Sequence, residues 1–236
     1  MSAPDAWYLK AGLTSSDLAA VLTGRSFAAA RRIGKLLLLD VADGPTLGLR
    51  FGMTGRLLVD GSAAVDDLVY ASVREEPAWD RLRLGFADGG ELRIADPRRL
   101  GGVFLDPDES RLGVDAASVS LSELHRALAG SAAPLKARLL DQTRLAGVGN
   151  LAADEVLFRA GLDPRRPAGS LGRAEVRRLH RHLVGTLAGL IAGGGSHTGV
   201  LQPHRMTGGR CPRDGTPLVR RIVGGRTTWS CPLHQV

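Results

Sequence analysis

Through roughly the first hundred residues, apolar and polar positions alternate in short runs. From about residue 118 the apolar positions recur at three- and four-residue spacing instead. The first pattern predicts β-strands and the second helices. Ser15 or Ser16 caps a short helix that runs through Leu22 and stops at Gly24. The apolar run Leu36 to Leu39 has the length of a buried strand, and further strands are expected over 46–51, 56–59, 66–71 and 102–105. Arg81-Leu-Arg-Leu-Gly-Phe86 alternates strictly, turns at Asp88-Gly89-Gly90 and resumes as Glu91-Leu-Arg-Ile94, which is a hairpin signature.

The change of pattern falls near Asp106-Pro107-Asp108. Ser120-Leu-Ser-Glu123 is a capping box opening a helix through Ala129, and Pro134 suits the first turn of a helix reaching about Gln142. Two more helices are expected over 150–160 and about 173–192, the last closed by Gly193-Gly194-Gly195. Ala146-Gly147-Val148-Gly149 is a tight small-residue turn, and Asn150 has the side chain to cap the helix that follows. Helix starts beside glycine turns leave N–H groups free, and free N–H groups bind phosphate. The stretch 139–164 therefore reads as a phosphate-gripping hinge. Beyond His197, Cys211-Pro-Arg-Asp214-Gly forms a knuckle-like turn, and strands over 219–223 and 226–230 flank Gly224-Gly225. The chain ends Cys231-Pro-Leu-His234-Gln-Val, so potential metal ligands meet at the base of a small hairpin.

Composition sharpens this division. A hydrophobic content of 44% in 236 residues supports one large domain or two small ones and argues against disorder. No apolar run approaches the roughly 18 to 20 residues of a membrane helix, and the start has no basic region followed by an apolar one. A cytoplasmic, nucleoid-associated protein is expected. The net charge of +7 is unevenly placed: 15 Lys/Arg face 18 Asp/Glu up to Ala133, but 16 face 6 from Pro134 onward. Nearly all the later cations are Arg, whose forked guanidinium grips phosphate. A high-GC genome also enriches Arg on solvated faces, but a polyanion partner for the second half is the stronger reading.

Five segments in this order resemble the formamidopyrimidine-DNA glycosylase and endonuclease VIII family: Arg31 to Leu39, Gly52-Met-Thr-Gly-Arg56, Asp96-Pro-Arg-Arg99, the run from Asp141-Gln142 through Ala146-Gly-Val-Gly-Asn150 to Gly161, and Gly224-Gly-Arg-Thr227. The resemblance spans about Thr14 to Gln235. It implies a β-sandwich, a helix–two-turn–helix domain and a zinc-finger hairpin, in proteins that excise oxidised bases and cleave the abasic strand by β-elimination. By position it implies that Lys35, on a strand edge, and Asn150 hold phosphates of the damaged strand, and that Arg226 enters the minor groove beside the flipped nucleotide. Base flipping leaves a hole whose lost stacking must be offset. The resemblance assigns that role to Met53, Arg99 and Leu100, with Leu100 standing where a Phe is usual. A Leu can act as a wedge but stacks less well than a ring.

The sequence departs from the family in three places. Members begin Met-Pro-Glu-Leu-Pro-Glu, and after Met removal the Pro amine attacks the sugar C1′. Here the start is Met-Ser-Ala-Pro-Asp, and Thr14 already matches a point inside the first domain. The Pro–Glu helix and the first two strands lack counterparts, so no residue inherits the nucleophile. Ser2 is a weak candidate once its amine is exposed, with a pKa of roughly 7.7–8.0. Pro4 is excluded because its nitrogen is a tertiary amide, and Asp5 would serve only a hydrolytic, lyase-free route. Second, the four-cysteine finger spacing is kept but holds Cys211, Asp214, Cys231 and His234. All four types bind zinc; a metal-free hairpin or a Cys211–Cys231 disulfide are the alternatives. Third, the linker 197–210 is short, and Ala152 replaces a Tyr common after the turn. His180, His197 and His204 read as surface or structural residues.

Together with the resemblance, the sequence implies a monomeric α+β protein with a shortened β-sandwich over 1–112, a helix–two-turn–helix domain over 113–196 and a zinc-finger-like β-hairpin over 197–236. The expected partner is double-stranded DNA containing a damaged base or abasic site, with base excision and strand cleavage as the accompanying chemistry. The competing reading is a non-catalytic protein that binds and shields such DNA. An RNA-binding module fits the charge but not the wedge residues, because A-form duplexes offer side chains no comparable groove.

Overall fold

The alternation over 81–86 becomes a strand in which Leu82 and Leu84 are buried while their arginine neighbours are not. A computed structural model describes residues 1–63, 74 and 76–236; the strand expected over 66–71 lies outside the described residues. The chain divides into two compact units, Met1–Glu109 and Ser110–Val236.

In the first unit, helix α1 (Ser15–Leu22) is followed by strands β1 (Phe27–Ile33), β2 (Leu36–Val41), β3 (Thr46–Arg50), β4 (Arg56–Val59), β5 (Ser62–Ala63), β6 (Asp80–Gly85), β7 (Glu91–Ala95) and β8 (Gly102–Leu105). They form two antiparallel four-stranded sheets, ordered β1-β2-β3-β8 and β5-β4-β7-β6. Leu39, Leu47 and Leu49 from one sheet meet Leu82, Leu92 and Ile94 from the other in a single core that also holds Tyr8 and Leu18. This is the expected sandwich. Its first helix is capped by Thr14, not Ser15 or Ser16, because Thr14 has the extended backbone a cap needs and completes a capping box with Asp17. Strand β1 escaped the sequence pattern: Phe27-Ala-Ala-Ala-Arg-Arg-Ile33 sits on a sheet edge, mostly exposed, and has no buried alternation to betray it.

In the second unit, β9 (Val114–Asp115) precedes helices α2 (Leu121–Leu128) and α3 (Leu135–Leu140), then β10 (Leu145–Ala146), α4 (Asn150–Ala160) and α5 (Arg173–Ala192). The hairpin β11 (Val219–Val223) and β12 (Arg226–Ser230) closes it. Helix α4 is the axle. Eight of its residues are buried, and it packs against α3, α5 and β12. No helix among the described residues is long and apolar enough to cross a membrane.

Candidate nucleic-acid interface

Between α3 and α4 the Gln142 side chain spans the backbone turn. Gln142 donates to the carbonyls of Leu140 and Val148 at 2.8 and 3.1 Å and accepts the Gly147 N–H at 3.0 Å. Gly147 has φ +110, and buried Val148 plugs the turn from below. The cap of α4 is Gly149, which offers no side-chain acceptor. Asn150, expected as the cap, lies one residue inside the helix. Gly149 takes the extended conformation (φ −102, ψ 172), and the Asn150 amide turns away to donate to the Thr227 carbonyl at 3.1 Å. The first-turn N–H groups of α4 are thus left without a side-chain partner from their cap, as an anion site requires. The Asn150 Oδ1 is buried with no hydrogen bond among the described residues.

The same Thr227 carbonyl accepts from Lys136 Nζ at 3.0 Å. Lys136 is completely buried, and its ammonium also donates to Thr228 Oγ1 and pairs with Asp154 at 2.7 Å each. Burial pushes its pKa down, against the pull of Asp154. Asp154 takes the Arg205 guanidinium (2.8 Å) and the Trp229 N–H (3.2 Å) on its second oxygen. A buried Lys–Asp–Arg chain therefore joins α3, α4, the linker and β12. It sits directly behind Asn150 and the hairpin tip, where Arg226 is exposed beside Gly224 and Gly225, both at positive φ. Gly224 has to be glycine here, since a Cβ would stand 2.7 Å from that of Ala137. Sequence reasoning missed Lys136, Asp154 and Arg205. The available signal was a Lys flanked by apolar residues at the start of Leu135-Lys-Ala-Arg-Leu-Leu140.

At the hairpin base, ligand atoms of Cys211, Asp214, Cys231 and His234 all lie within 4.8 Å of one another. His234 Nδ1 is 3.0 Å from Asp214 Oδ2 and 3.5 Å from Cys211 Sγ, and Cys231 Sγ is 3.4 Å from Asp214 Oδ2. A tetrahedron with bonds of about 2.0–2.3 Å has edges of roughly 3.3–3.8 Å, so the donor spacing suits a metal of that size. The surroundings fit too: the N–H groups of Arg213 and Leu233 point at the two sulfurs at 3.4 Å, and the Phe158 carbonyl lies 3.3 Å from His234 Nε2. Hydrogen bonds from Thr216 hold the Asp214 carboxyl far below the usual range, and burial raises the Cys211 thiol. Both cysteines are free, not joined in a disulfide.

In the first unit, Lys35 lies in the tight turn joining β1 to β2 rather than on a strand edge, exposed beside Gly34 at φ +58. Met53 and Leu100 are 53% and 45% exposed, so neither is a core residue. Their loops touch: Gly52, at φ +61, is so close to Leu100 that a Cβ would come within 2.7 Å of its backbone. Buried Asp96 braces both loops, accepting from Thr54 Oγ1 at 2.5 Å and from the Gly101 N–H at 2.9 Å. Arg99, with φ +56, is turned back to donate to Asp5 at 2.6 Å, whereas its neighbour Arg98 is exposed and its guanidinium makes no bond among the described residues. For Asp5, burial opposes ionisation, but Arg99 and Arg81 outweigh it and hold the carboxyl below its ordinary range. A carboxylate so paired is a poor general base. Ser2 is not loose: it exchanges two 2.8 Å backbone hydrogen bonds with Arg83 on the edge of β6.

Comparison with known proteins matches this layout. Residues 4–103 fit the formamidopyrimidine-DNA glycosylase N-terminal domain and residues 112–201 the formamidopyrimidine-DNA glycosylase H2TH domain. The formamidopyrimidine-DNA glycosylases of Paracoccus denitrificans and Thermus thermophilus are 36% and 37% identical, over 93% and 92% of this chain and 86% and 85% of theirs. A complex of the Lactococcus lactis Fpg with DNA containing an abasic site superposes with a TM-score of 0.75 at 28% identity, over 93% of this chain and 86% of that one. The MutM (Fpg) protein of Thermus thermophilus superposes with a TM-score of 0.73 at 36% identity, over 92% of this chain and 85% of that one. The chain belongs to the formamidopyrimidine-DNA glycosylase family.

Proposed function

We propose that this protein is a DNA repair protein that binds duplex DNA at a damaged base or abasic site. The observation that carries the reading is the shared Thr227 carbonyl: Asn150 and Lys136 both donate to it, fixing the open first turn of α4 beside the hairpin tip. In this reading a backbone phosphate sits on the first-turn N–H groups of α4 and the Asn150 amide, and Arg226 enters the minor groove. Lys35 holds a second phosphate. Met53 and Leu100, exposed on touching loops, fill the space left by a displaced nucleotide. Arg98 is the arginine free to join them, because Arg99 is engaged by Asp5. The family's solved complexes with abasic-site and Fapy-dG DNA support the choice of ligand.

For the hairpin base we propose zinc held by Cys211, Asp214, Cys231 and His234. The ion would cross-link the two knuckles without taking part in chemistry. Metal analysis of the purified protein should return about one zinc per chain. Strand chemistry at an abasic site needs an amine. The Ser2 nitrogen, whose N–H donates to the Arg83 carbonyl, would have to leave the sheet edge to react. Borohydride trapping on an abasic oligonucleotide decides this: an adduct mapped to Ser2 assigns lyase activity, while tight binding with neither adduct nor cleavage assigns a binder. Absence of any preference for abasic over intact duplex would overturn the proposed function itself.

A further inference from the structure

A second basic surface lies in the second unit, away from the α4 turn. Helices α2 and α5 border a groove of about 670 Å³. Arg126 stands on one wall and Arg173 and Arg177, one helical turn apart, on the other, with His125 at the edge. All three guanidinium groups are exposed, and among the described residues no carboxylate lies within ion-pair distance of any of them. The nearby acids are already occupied: Glu123 closes the capping box on Ser120, and Glu175 is bound by Arg166 and the Gly172 N–H. Between the arginines the floor is apolar, with buried Val176 and half-exposed Leu121.

This groove is remote from the proposed phosphate turn along the axle of the unit. Arg178, next to Arg177, donates to the Ala160 carbonyl at the last turn of α4, whereas Asn150 opens its first. The rise of 1.5 Å per residue from Asn150 to Ala160 separates the two ends by about 15 Å. Three cations that no carboxylate pairs among the described residues, with Glu123 acting on Arg126 only from beyond ion-pair distance, stand around an apolar floor and complement a ligand that carries both anions and an apolar side chain. Duplex phosphates satisfy only the first half of that description. We infer that the α2–α5 groove is a docking site for a short acidic peptide segment, bearing an apolar residue, from a partner protein. Its aspartates or glutamates meet Arg126, Arg173 and Arg177, and its apolar side chain covers Val176 and Leu121.

Fluorescence anisotropy with a fluorescein-labelled Asp-Asp-Asp-Asp-Leu-Phe peptide tests this on the full chain. Saturable, salt-sensitive binding is expected, with affinity falling at least about tenfold in the R173E/R177E variant. Affinity for abasic DNA should change by less than about twofold. Glutamates in the first turns of α5 also complement the helix dipole, so the variant should fold. R126E, on the opposite wall, should weaken the peptide in the same direction. The inference is overturned if a Ser-Ser-Ser-Ser-Leu-Phe peptide binds equally well, if the charge reversals leave peptide affinity unchanged, or if they weaken abasic DNA as much as the peptide. The last result would make the groove a DNA surface. Failure of the DNA-binding proposal alone would leave the peptide measurement intact.

Discussion

The two ends of helix α4 hold the C-terminal hairpin by different physics. At its N-terminal end, Asn150 and Asp154, with Lys136 from α3, fasten β12 through buried charges and hydrogen bonds to the Thr227 carbonyl, the Thr228 hydroxyl and the Trp229 N–H. At its C-terminal end, Phe158 meets the hairpin base through His234, ring against ring at 4.8 Å and carbonyl against Nε2. Here the partner is a knuckle whose own ligands must be drawn together. A buried ion pair is rigid but unforgiving, since its members cannot be lost singly. A knuckle is only as firm as whatever holds its four donors. The hairpin tip is thus secured by side-chain contacts, and the hairpin base would be secured by the zinc proposed for it.

The largest expected effect comes from breaking the buried chain on one side. D154N leaves Lys136 buried without a carboxylate and Arg205 without its ion pair, and should cost about 3–5 kcal/mol of stability in denaturant melts, whereas K136M, which keeps Asp154 paired with Arg205, should cost less. The apolar pair K136M/D154L should recover part of that loss, though Arg205 then lacks its acceptor. A single variant as stable as wild type would remove the tip's anchor from this account.

Next in size is metal removal. Chelation, or C231S, should erase amide protection around 211–216 and 231–235 in hydrogen exchange while Thr227–Trp229 retain theirs. Equal loss at both places would merge the two fastenings into one. The smallest effect concerns Glu175, whose carboxyl is held below its ordinary range by the Arg166 guanidinium, burial opposing. A carboxylate with a lowered folded pKa stabilises the fold above its unfolded value and loses that contribution as pH falls through the folded one. E175Q should therefore be less stable than wild type at neutral pH, the difference shrinking below about pH 4. A gap that stays constant to pH 3 would contradict this.

The elements were legible where periodicity and punctuation agree: α4, α5, β4, β11 and β12 lie where the sequence puts them. β1 was hidden because an alanine-rich edge strand buries nothing in alternation. Asn150 was misread because capping propensity ranks residue types, whereas the cap is chosen by backbone shape, which Gly149 takes. The finger ligands were readable from the spacing of the family the sequence resembles, and the structure gathers all four. The Lys136–Asp154–Arg205 chain was not, since its members are 18 and 51 residues apart and one Lys in a short helix gives no hint of its partners. Arg99 and Arg98 differ only in backbone conformation and in the reach of Asp5, neither of which a pattern encodes.

The central claim is that the open first turn of α4 and the hairpin tip form one grip on DNA. Equilibrium binding of a duplex carrying a stable abasic analogue tests it directly with N150A and R226A. Each variant should melt within a few degrees of wild type and bind about tenfold or more weakly, in line with loss of a charge-assisted contact of roughly 1.5–3 kcal/mol. Wild-type affinity in both variants would contradict the account.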